Sequence, residues 1–169
     1  MDKKTNTGLP ILKFANLSVS FGRGDQEVKA VRCANLEIRK GETLALVGES
    51  GSGKSVTALS ALQLLPYPTA HHPSGSIRFD NKELLGANED TLRGIRGNRI
   101  GMIFQEPMTS LNPLHTLEKQ IGEVLFLHKK LGRVDARKQV LDLLVQVGLG
   151  NAENRLQSFP HQLSGGQRQ

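Results

Sequence analysis

Residues 48–55 have the sequence Gly48-Glu49-Ser50-Gly51-Ser52-Gly53-Lys54-Ser55, which fits the pattern G-x-x-x-x-G-K-[ST]. The apolar run at residues 43–47 precedes it and predicts a buried parallel strand. Residues 56–65 follow with apolar side chains at helical spacing, and Pro66 and Pro68 predict the end of that helix. Strand, glycine-rich loop and helix in this order are the context that a phosphate-binding loop requires.

The composition of the loop predicts a cradle for phosphate. Glycines let the backbone curl so that successive N–H groups point at an anion, and the N-terminus of the next helix adds a positive dipole end. We expect Lys54 to reach the β- and γ-phosphates of a nucleotide and Ser55 to offer its hydroxyl to Mg²⁺. The alternative, a glycine-rich turn ahead of an ordinary helix, is disfavoured by the flanking segments.

Charge and aromatic content argue against a nucleic-acid groove. The 169 residues carry a formal net charge of +6, but Lys and Arg are scattered rather than clustered, with no Trp and one Tyr. A groove for nucleic acid would need clustered cations and stacking aromatics. The basic balance therefore predicts a solvated surface, and we expect no nucleic-acid partner.

Cysteine content and hydropathy narrow the class further. Cys33 is the only cysteine, which excludes an internal disulfide and suits a reducing compartment. No apolar run approaches the ~20 residues of a membrane-spanning helix, and the first residues do not resemble a signal peptide. We expect a chain that does not itself enter a membrane.

The amino-terminal part is predicted to be rich in strands. Residues 1–9 are expected to be a tail, and residues 10–47 and 75–85 to form an antiparallel β subdomain. Residues 43–65 and 99–105 are expected to supply the core around the glycine-rich loop, with residues 99–105 as a second buried strand that ends at Gln105. Between them, Asn88 is the predicted N-cap of a short helix.

The remainder is predicted to be a helical lobe over residues 107–160. Helices are expected at residues 116–130, with Thr116 as the cap, at 135–147, and in a third short stretch at 151–157. The side chains expected to face inward are Leu117, Ile121, Val124, Leu125, His128, Val140, Leu141, Leu144 and Val147. His71 and His72 are expected on a surface loop, because adjacent residues cannot both face one metal from a regular strand or helix. His115, His128 and His161 are isolated, and packing or surface positions are favoured for them over metal ligation.

The chain closes on a second candidate for anion binding, Leu163-Ser164-Gly165-Gly166-Gln167. At the N-terminus of the helix that follows, an anion would face the Ser164 hydroxyl, the backbone N–H groups and the positive end of the helix dipole. Alone, this run could be only a capped helix start. Because a phosphate-binding loop lies upstream, residues 163–167 are a far more specific indication of anion binding.

Taken together, the glycine-rich loop, Gln105 and residues 163–167 resemble the ATP-binding subunits of ABC transporters, over almost the whole chain from Leu12. The resemblance implies an α/β fold with a P-loop NTPase core, an amino-terminal antiparallel β subdomain and an inserted α-helical lobe. It implies ATP and Mg²⁺ as cofactors and residues 48–56 as the phosphate cradle. Val56 stands where many relatives have Thr, so only its backbone N–H could contact phosphate.

The same resemblance assigns roles outside the loop. Phe21 matches the aromatic residue that stacks on adenine, with a core phenylalanine as the alternative. Gln105 matches the glutamine that contacts Mg²⁺ and the attacking water, so Lys54 and Gln105 are the implied catalytic residues and Ser55 and Gln105 the implied metal ligands. Residues 163–167 match the signature that caps the γ-phosphate bound by a second ATPase subunit in a head-to-tail dimer.

The implied partners are a transmembrane permease, a second ATPase subunit or domain and, indirectly, a periplasmic or extracellular solute-binding protein. The implied location is the cytoplasmic face of the bacterial inner membrane. Residues 48–59 and 102–113 resemble the dipeptide and oligopeptide importers, most closely the amino-terminal half of tandem (microcin C-type) ATPases. Related subunits serve nickel, glutathione and opines, so the solute stays open.

In such ATPases the signature is followed by a strand that ends in Asp-Glu, which supplies the general base, and by a switch histidine. The sequence ends at Gln169, before both. We therefore expect a fragment that lacks the carboxy-terminal part of the core sheet and that alone is poorly stable and without ATP turnover. Three alternatives remain: another P-loop enzyme such as a kinase or GTPase, a soluble ABC ATPase of repair or translation, and a decayed nucleotide-binding remnant.

Overall fold

A computed structural model of the chain describes residues 8–104 and 110–168. The chain divides into two compact units, with the boundary between Leu92 and Arg93. The first unit contains the β-sheet and the glycine-rich loop, and the second contains most of the helices. Among the described residues, no helix has both the length and the apolar character needed to cross a membrane.

The sheet of the first unit is centred on β1 (Leu12–Phe21). This strand pairs antiparallel with β2 (Val28–Ile38) on one side and with β3 (Ala70–Phe79) on the other. A short strand, β4 (Lys82–Glu83), completes the order β2-β1-β3-β4. The apolar side chains that recur along β1 and β3 in the sequence face the core, since Phe14, Leu17, Val19, Ile77 and Phe79 are all buried.

The first helix, α1 (Lys54–Ala61), follows the glycine-rich loop. It is shorter than predicted and ends well before Pro66. Gln63 adopts a left-handed backbone conformation with φ of 48°, which interrupts the helix, and its side-chain amide donates to the carbonyl oxygen of Leu84. The helix therefore ends in a local left-handed cap rather than at a proline, with the N–H groups of Gln63 and Leu64 donating to the carbonyl oxygens of Ser60 and Leu59.

Two predicted buried strands are not formed. Residues 43–47 and 101–104 are irregular, and Val47 and Ile103 are 86% and 95% exposed. Residues 99–105 contribute only an isolated bridge between Ile100 and Arg96, and Gln105 lies outside the described residues. A buried parallel strand needs hydrogen-bonded neighbours and covering layers, and no other described segment pairs with these two.

The helical part begins with α2 (Glu89–Ile95), which crosses the boundary between the units. The predicted cap is confirmed, because the Asn88 side-chain oxygen accepts the Thr91 N–H at 2.9 Å. Next come α3 (Leu117–Lys129), α4 (Arg133–Gln146), α5 (Ala152–Arg155) and α6 (Gly165–Arg168). Thr116 caps α3 as predicted, accepting the Lys119 N–H.

The second unit has an apolar core of its own. Its fully or nearly fully buried members come from α3, α4, α5 and the segments after α5, and they include Leu125, Val140, Leu144, Leu156 and Leu163. Two of the predicted inward residues are instead on the surface, since Val124 is 46% and Val147 71% exposed. Val124 adjoins the buried stripe of α3 at its edge, and Val147 is already the carboxy-terminal cap of α4.

His71 and His72 are not in a surface loop. Both are half-buried residues of β3, because the pairing of β1 with β3 continues as far as Phe21 and Ala70. Burial lowers the pKa of His72, and the neighbouring charge of His71 lowers it further. Among the described residues, no group of three or more His, Cys, Asp or Glu side chains could hold a metal ion.

Candidate functional site

The turn into α1 depends on Gly53. This residue is the N-cap of α1 and has φ of 86°, a left-handed conformation that a side chain disfavours. A Cβ atom at this position would lie 2.6 Å from the carbonyl oxygen of Ala30 in β2. Gly53 therefore lets the loop pass close to the sheet and enter the helix in one step.

The start of α1 leaves backbone donors unpaired. The first hydrogen bond of the helix joins the Thr57 N–H to the Gly53 carbonyl oxygen at 2.8 Å, and the Thr57 hydroxyl donates to the same oxygen. Within the described part of the chain, no acceptor takes the N–H groups of Lys54, Ser55 or Val56. Three adjacent donors at the positive end of a helix dipole form a site suited to an anion.

The Lys54 ammonium group lies over the loop. Its Nζ donates to the carbonyl oxygens of Gly48 at 2.8 Å and Glu49 at 2.6 Å, and to the Ser52 hydroxyl at 3.1 Å. These contacts use all three of its N–H donors and hold a positive charge against the glycine-rich loop. A phosphate bound there would exchange with one or more of these acceptors.

A cleft of about 570 Å³ borders the loop, which is within the size range of small-molecule sites. Gly51, Ser52, Lys54 and Thr57 line it from the loop and α1, and residues of β2 line it from the sheet. Phe21 does not line this cleft. It is half-buried at the end of β1, where it pairs with Val28 and Ala70, so its contact with adenine stays a prediction.

Residues 163–167 form a capped helix start in the second unit. Leu163 is 4% exposed and belongs to the core of that unit. The Ser164 Oγ accepts the Gln167 N–H at 3.3 Å, and the Gln167 side-chain oxygen accepts the Ser164 N–H at 3.0 Å. This reciprocal arrangement is a capping box. Because Ser164 Oγ acts as an acceptor here, its own hydrogen remains available for donation.

Gln105 falls outside the described residues, and the description of the chain resumes at residue 110, ahead of α3. The Gln120 side chain of α3 accepts the Asn112 N–H at 2.9 Å and donates to the carbonyl oxygens of Asn112 and His115 at 3.0 and 2.8 Å. Gln120 thereby fixes residues 112–115 against the start of α3. Sequence reasoning missed this half-buried residue, because no local pattern around Gln120 indicates a contact with a loop eight residues upstream.

A nucleotide and Mg²⁺ fit the residues present at the start of α1. Gly53 leaves no room for a side chain, the donors of Lys54, Ser55 and Val56 are open, and Ser55 is exposed with a hydroxyl at the end of the cradle. This loop, between a β-sheet and the helix that it opens, defines the class of a P-loop nucleotide-binding protein.

The chain belongs to the ABC transporter family, whose pattern it matches over residues 31–169. The resemblance drawn from residues 48–55 and 163–167 is thereby confirmed. The family is one of ATP-hydrolysing cassettes, which in general bind nucleotide together with Mg²⁺.

Relatives and solved structures agree with this assignment. The chain is 58% identical over 167 residues to the "Peptidoglycan transport ATP-binding protein YejF" of Agrobacterium fabrum, covering 99% of this chain and 30% of the relative. It is 47% identical over 159 residues to the "Oligopeptide transport ATP-binding protein OppD" of Bacillus subtilis, covering 94% of this chain and 44% of the relative. The fold is similar to the dimeric post-hydrolysis structure of the ATP-binding cassette MJ0796 bound to ADP and Pi. That likeness has a TM-score of 0.77 and 28% identity, and it covers 93% of this chain and 65% of the other. The chain thus spans 30% to 44% of the length of these two relatives.

Proposed function

We propose that the chain is the nucleotide-binding part of an ABC importer subunit that hydrolyses ATP to drive uptake of peptides or related small solutes. The observation that carries the proposal is the start of α1, where the Lys54 ammonium is bonded to the glycine-rich loop and the N–H groups of residues 54–56 are open. The substrate class is supported by the relatives, which are named as transport proteins for peptidoglycan, oligopeptides and dipeptides.

In the proposed binding mode, the phosphate chain lies against residues 48–56. Lys54 turns its charge from the loop carbonyl oxygens to the β- and γ-phosphates, and Val56 contributes only its backbone N–H. Ser55 and Gln105 are the proposed ligands of Mg²⁺, and Phe21 is the proposed contact of adenine. Mg²⁺ would bridge phosphate oxygens and neutralise the charge that develops when water attacks the γ-phosphorus.

The second proposed site acts in trans. Leu163, Ser164, Gly165, Gly166 and Gln167 would cap the γ-phosphate held by a second ATPase subunit or domain in a head-to-tail arrangement. The capping box supports this role, because Ser164 keeps a hydrogen to donate while its oxygen is held by the Gln167 N–H. Positioning and electrostatic stabilisation would then carry the phosphoryl transfer to water, as in other nucleotide hydrolases.

The remaining partners follow from the same proposal. A transmembrane permease would receive the motion of the helical part of the chain, and a periplasmic or extracellular solute-binding protein would deliver the solute to that permease. The protein would then work at the cytoplasmic face of the bacterial inner membrane.

The test is uptake of a labelled oligopeptide by cells that depend on the full-length polypeptide. Lys54→Ala is expected to reduce ATP-driven uptake to background, because the phosphates lose their principal cation. Lys138→Ala is the matched control, since Lys138 is an exposed lysine of α4 in the other unit, and it is expected to leave uptake unchanged. Full uptake by Lys54→Ala cells contradicts the proposal.

Two parallel measurements separate the alternatives. Uptake of nickel, glutathione or an opine in place of peptide would keep the transport function and change its solute. Co-purification of the full-length polypeptide with ribosomes or DNA, and not with a permease, would instead favour a soluble ABC ATPase of repair or translation.

A further inference from the structure

The Glu118 carboxylate in the first turn of α3 joins three parts of the second unit. Its Oε1 accepts a hydrogen bond from Arg137 Nη1 of α4 at 3.2 Å. Its Oε2 accepts one from Gln157 Nε2, in the segment after α5, at 2.5 Å. The Glu118 side chain is only 25% exposed, so these contacts are partly shielded from water.

The backbone around Glu118 reinforces the contact with the segment after α5. The N–H groups of Leu117 and Glu118 belong to the first turn of α3 and have no acceptor within that helix. They donate to the carbonyl oxygens of Ser158 at 3.0 Å and Leu156 at 2.9 Å. Residues 156–158 are therefore held along the start of α3 by two backbone bonds and by the bond between Glu118 and Gln157.

This segment leads directly to the signature. From Ser158 the chain passes through a short 3₁₀ helix at Pro160–Gln162 to Leu163, which is buried in the same apolar core as Leu156. Ser164 follows at once and opens the capping box. Because the connection is short and pinned at both ends, a displacement of residues 156–158 would also displace Ser164.

We propose that Glu118 is a positioning residue, which fixes the position of Ser164 and its neighbours relative to the nucleotide bound by the second ATPase subunit or domain. The inference rests on the proposed function, in which residues 163–167 contact the nucleotide bound in trans. Glu118 suits the role on three grounds: a carboxylate is favoured at a helix N-terminus, it accepts two bonds at once, and its partner Arg137 carries a permanent charge. Arg137 is 53% exposed and Gln157 is also exposed, so Glu118 is the most buried of the three side chains.

The enzymatic test compares Glu118→Ala, Glu118→Gln and Glu123→Ala in the full-length polypeptide. Glu123 is an exposed glutamate of the same helix and serves as the matched control. Glu118→Ala is expected to lower kcat for ATP hydrolysis about tenfold, the scale of losing one charge-assisted hydrogen bond, with an unchanged ATP Kd. Glu118→Gln should recover part of the loss, since its amide oxygen still accepts from Gln157 or Arg137.

A second test needs no activity and uses hydrogen exchange of the same variants of the full-length polypeptide. In Glu118→Ala, peptides that cover residues 156–168 are expected to exchange faster, whereas peptides that cover residues 48–61 should match the unsubstituted chain. Glu123→Ala should match the unsubstituted chain throughout. This readout separates the two proposals. Absence of ATP binding would refute the proposed function, whereas the exchange rates over residues 156–168 test the positioning of Ser164 independently of ATP binding.

Two results would overturn the inference. One is an unchanged exchange rate over residues 156–168 in Glu118→Ala. The other is a parallel loss of kcat, ATP affinity and melting temperature, which indicates general destabilisation and no selective effect on the signature.

Discussion

The two helix starts that resemble phosphate-binding motifs are built in different ways. At α1, Gly53 caps the helix with backbone alone, and the donors of Lys54, Ser55 and Val56 are left open. At α6, the Ser164 side chain accepts a hydrogen bond from the Gln167 N–H, and the Gln167 side chain accepts one from the Ser164 N–H. The first arrangement leaves donors for a ligand at some cost in local stability, whereas the second secures the helix by itself.

The difference teaches what each site requires from its surroundings. The α1 start depends on contacts with distant residues, because Gly53 is fitted against Ala30 in β2. The α6 start is satisfied locally, and only its position depends on distant residues such as Glu118. We therefore expect substitutions at α1 to affect ligand binding most and substitutions at α6 to affect local order most.

The largest effect is expected from Lys54→Ala. Removing the charged group that contacts the loop carbonyl oxygens should weaken ATP binding by about 3 kcal/mol, roughly 150-fold in Kd. Calorimetric titration of the purified chain with Mg-ATP measures this. Lys138→Ala, on α4, should retain the original Kd, and an equal loss in both variants would show that the effect is not specific to the loop.

Gly53→Ala should come next, with a loss of about 2 kcal/mol in the free energy of unfolding. The added methyl group would sit in a left-handed conformation and 2.6 Å from the Ala30 oxygen. Urea unfolding measures the loss. Gly132→Ala is a suitable control, because Gly132 also precedes a helix but has an ordinary negative φ of −65° and open space around its Cβ position. Equal stability of the two variants would contradict the account of the α1 start.

Ser164→Ala should cost about 1 kcal/mol of local stability at α6, the usual scale for loss of an N-cap hydroxyl. Hydrogen exchange over residues 164–168 would report it, and Ser164→Thr should behave nearly like the unsubstituted chain because it keeps the hydroxyl. If exchange over α6 is identical in Ser164→Ala, the capping box contributes nothing to the order of this helix.

The smallest effect is expected from the charge of Glu83, in the edge strand β4 of the sheet. Burial raises the pKa of this carboxyl, but bonds from the Ser76 hydroxyl and the N–H groups of Ile77 and Leu85 outweigh burial and lower it overall, with the Arg78 charge adding to them. A lowered folded-state pKa stabilises the protein above the ordinary carboxyl range, and the stabilisation is lost as pH falls through the folded-state value.

Glu83→Gln should therefore reduce the free energy of unfolding at pH 7 and have less effect near pH 3.5. The difference should stay below about 1 kcal/mol, because Glu83 is 39% exposed and solvent screens its charge. Urea unfolding at the two pH values measures it, with Asp25→Asn, an exposed carboxylate of the same unit, as the control. A penalty that grows on acidification would reverse the predicted sign.

The features that could be predicted from the sequence are those determined over a few residues. The glycine-rich loop, the Asn88 and Thr116 caps and the alternation along β1 depend on local backbone chemistry, and all are present in the structure. The hairpin turn between β3 and β4 is predicted from the sequence at Asn81-Lys82 and lies one residue earlier, at Asp80-Asn81, where both residues adopt positive φ.

The features that could not be predicted depend on distant neighbours. Residues 43–47 have the composition of a buried strand, but a strand forms only where another strand pairs with it, and among the described residues none does. The early start of β3, with His71 and His72 in the sheet, reflects pairing with β1. The contacts of Gln120 with Asn112 and of Glu118 with Gln157 likewise join segments whose proximity no local pattern encodes.

The measurement that tests the central claim most directly is the change in backbone amide NMR shifts of the chain on addition of Mg-ATP. The start of α1 is claimed to hold the phosphates, so the amides of residues 51–56 are predicted to shift first and furthest. The amides of residues 165–168 should stay unchanged until a second ATPase site is present. Shifts confined to α6, or no shift at residues 51–56 at saturating nucleotide, would contradict the claim.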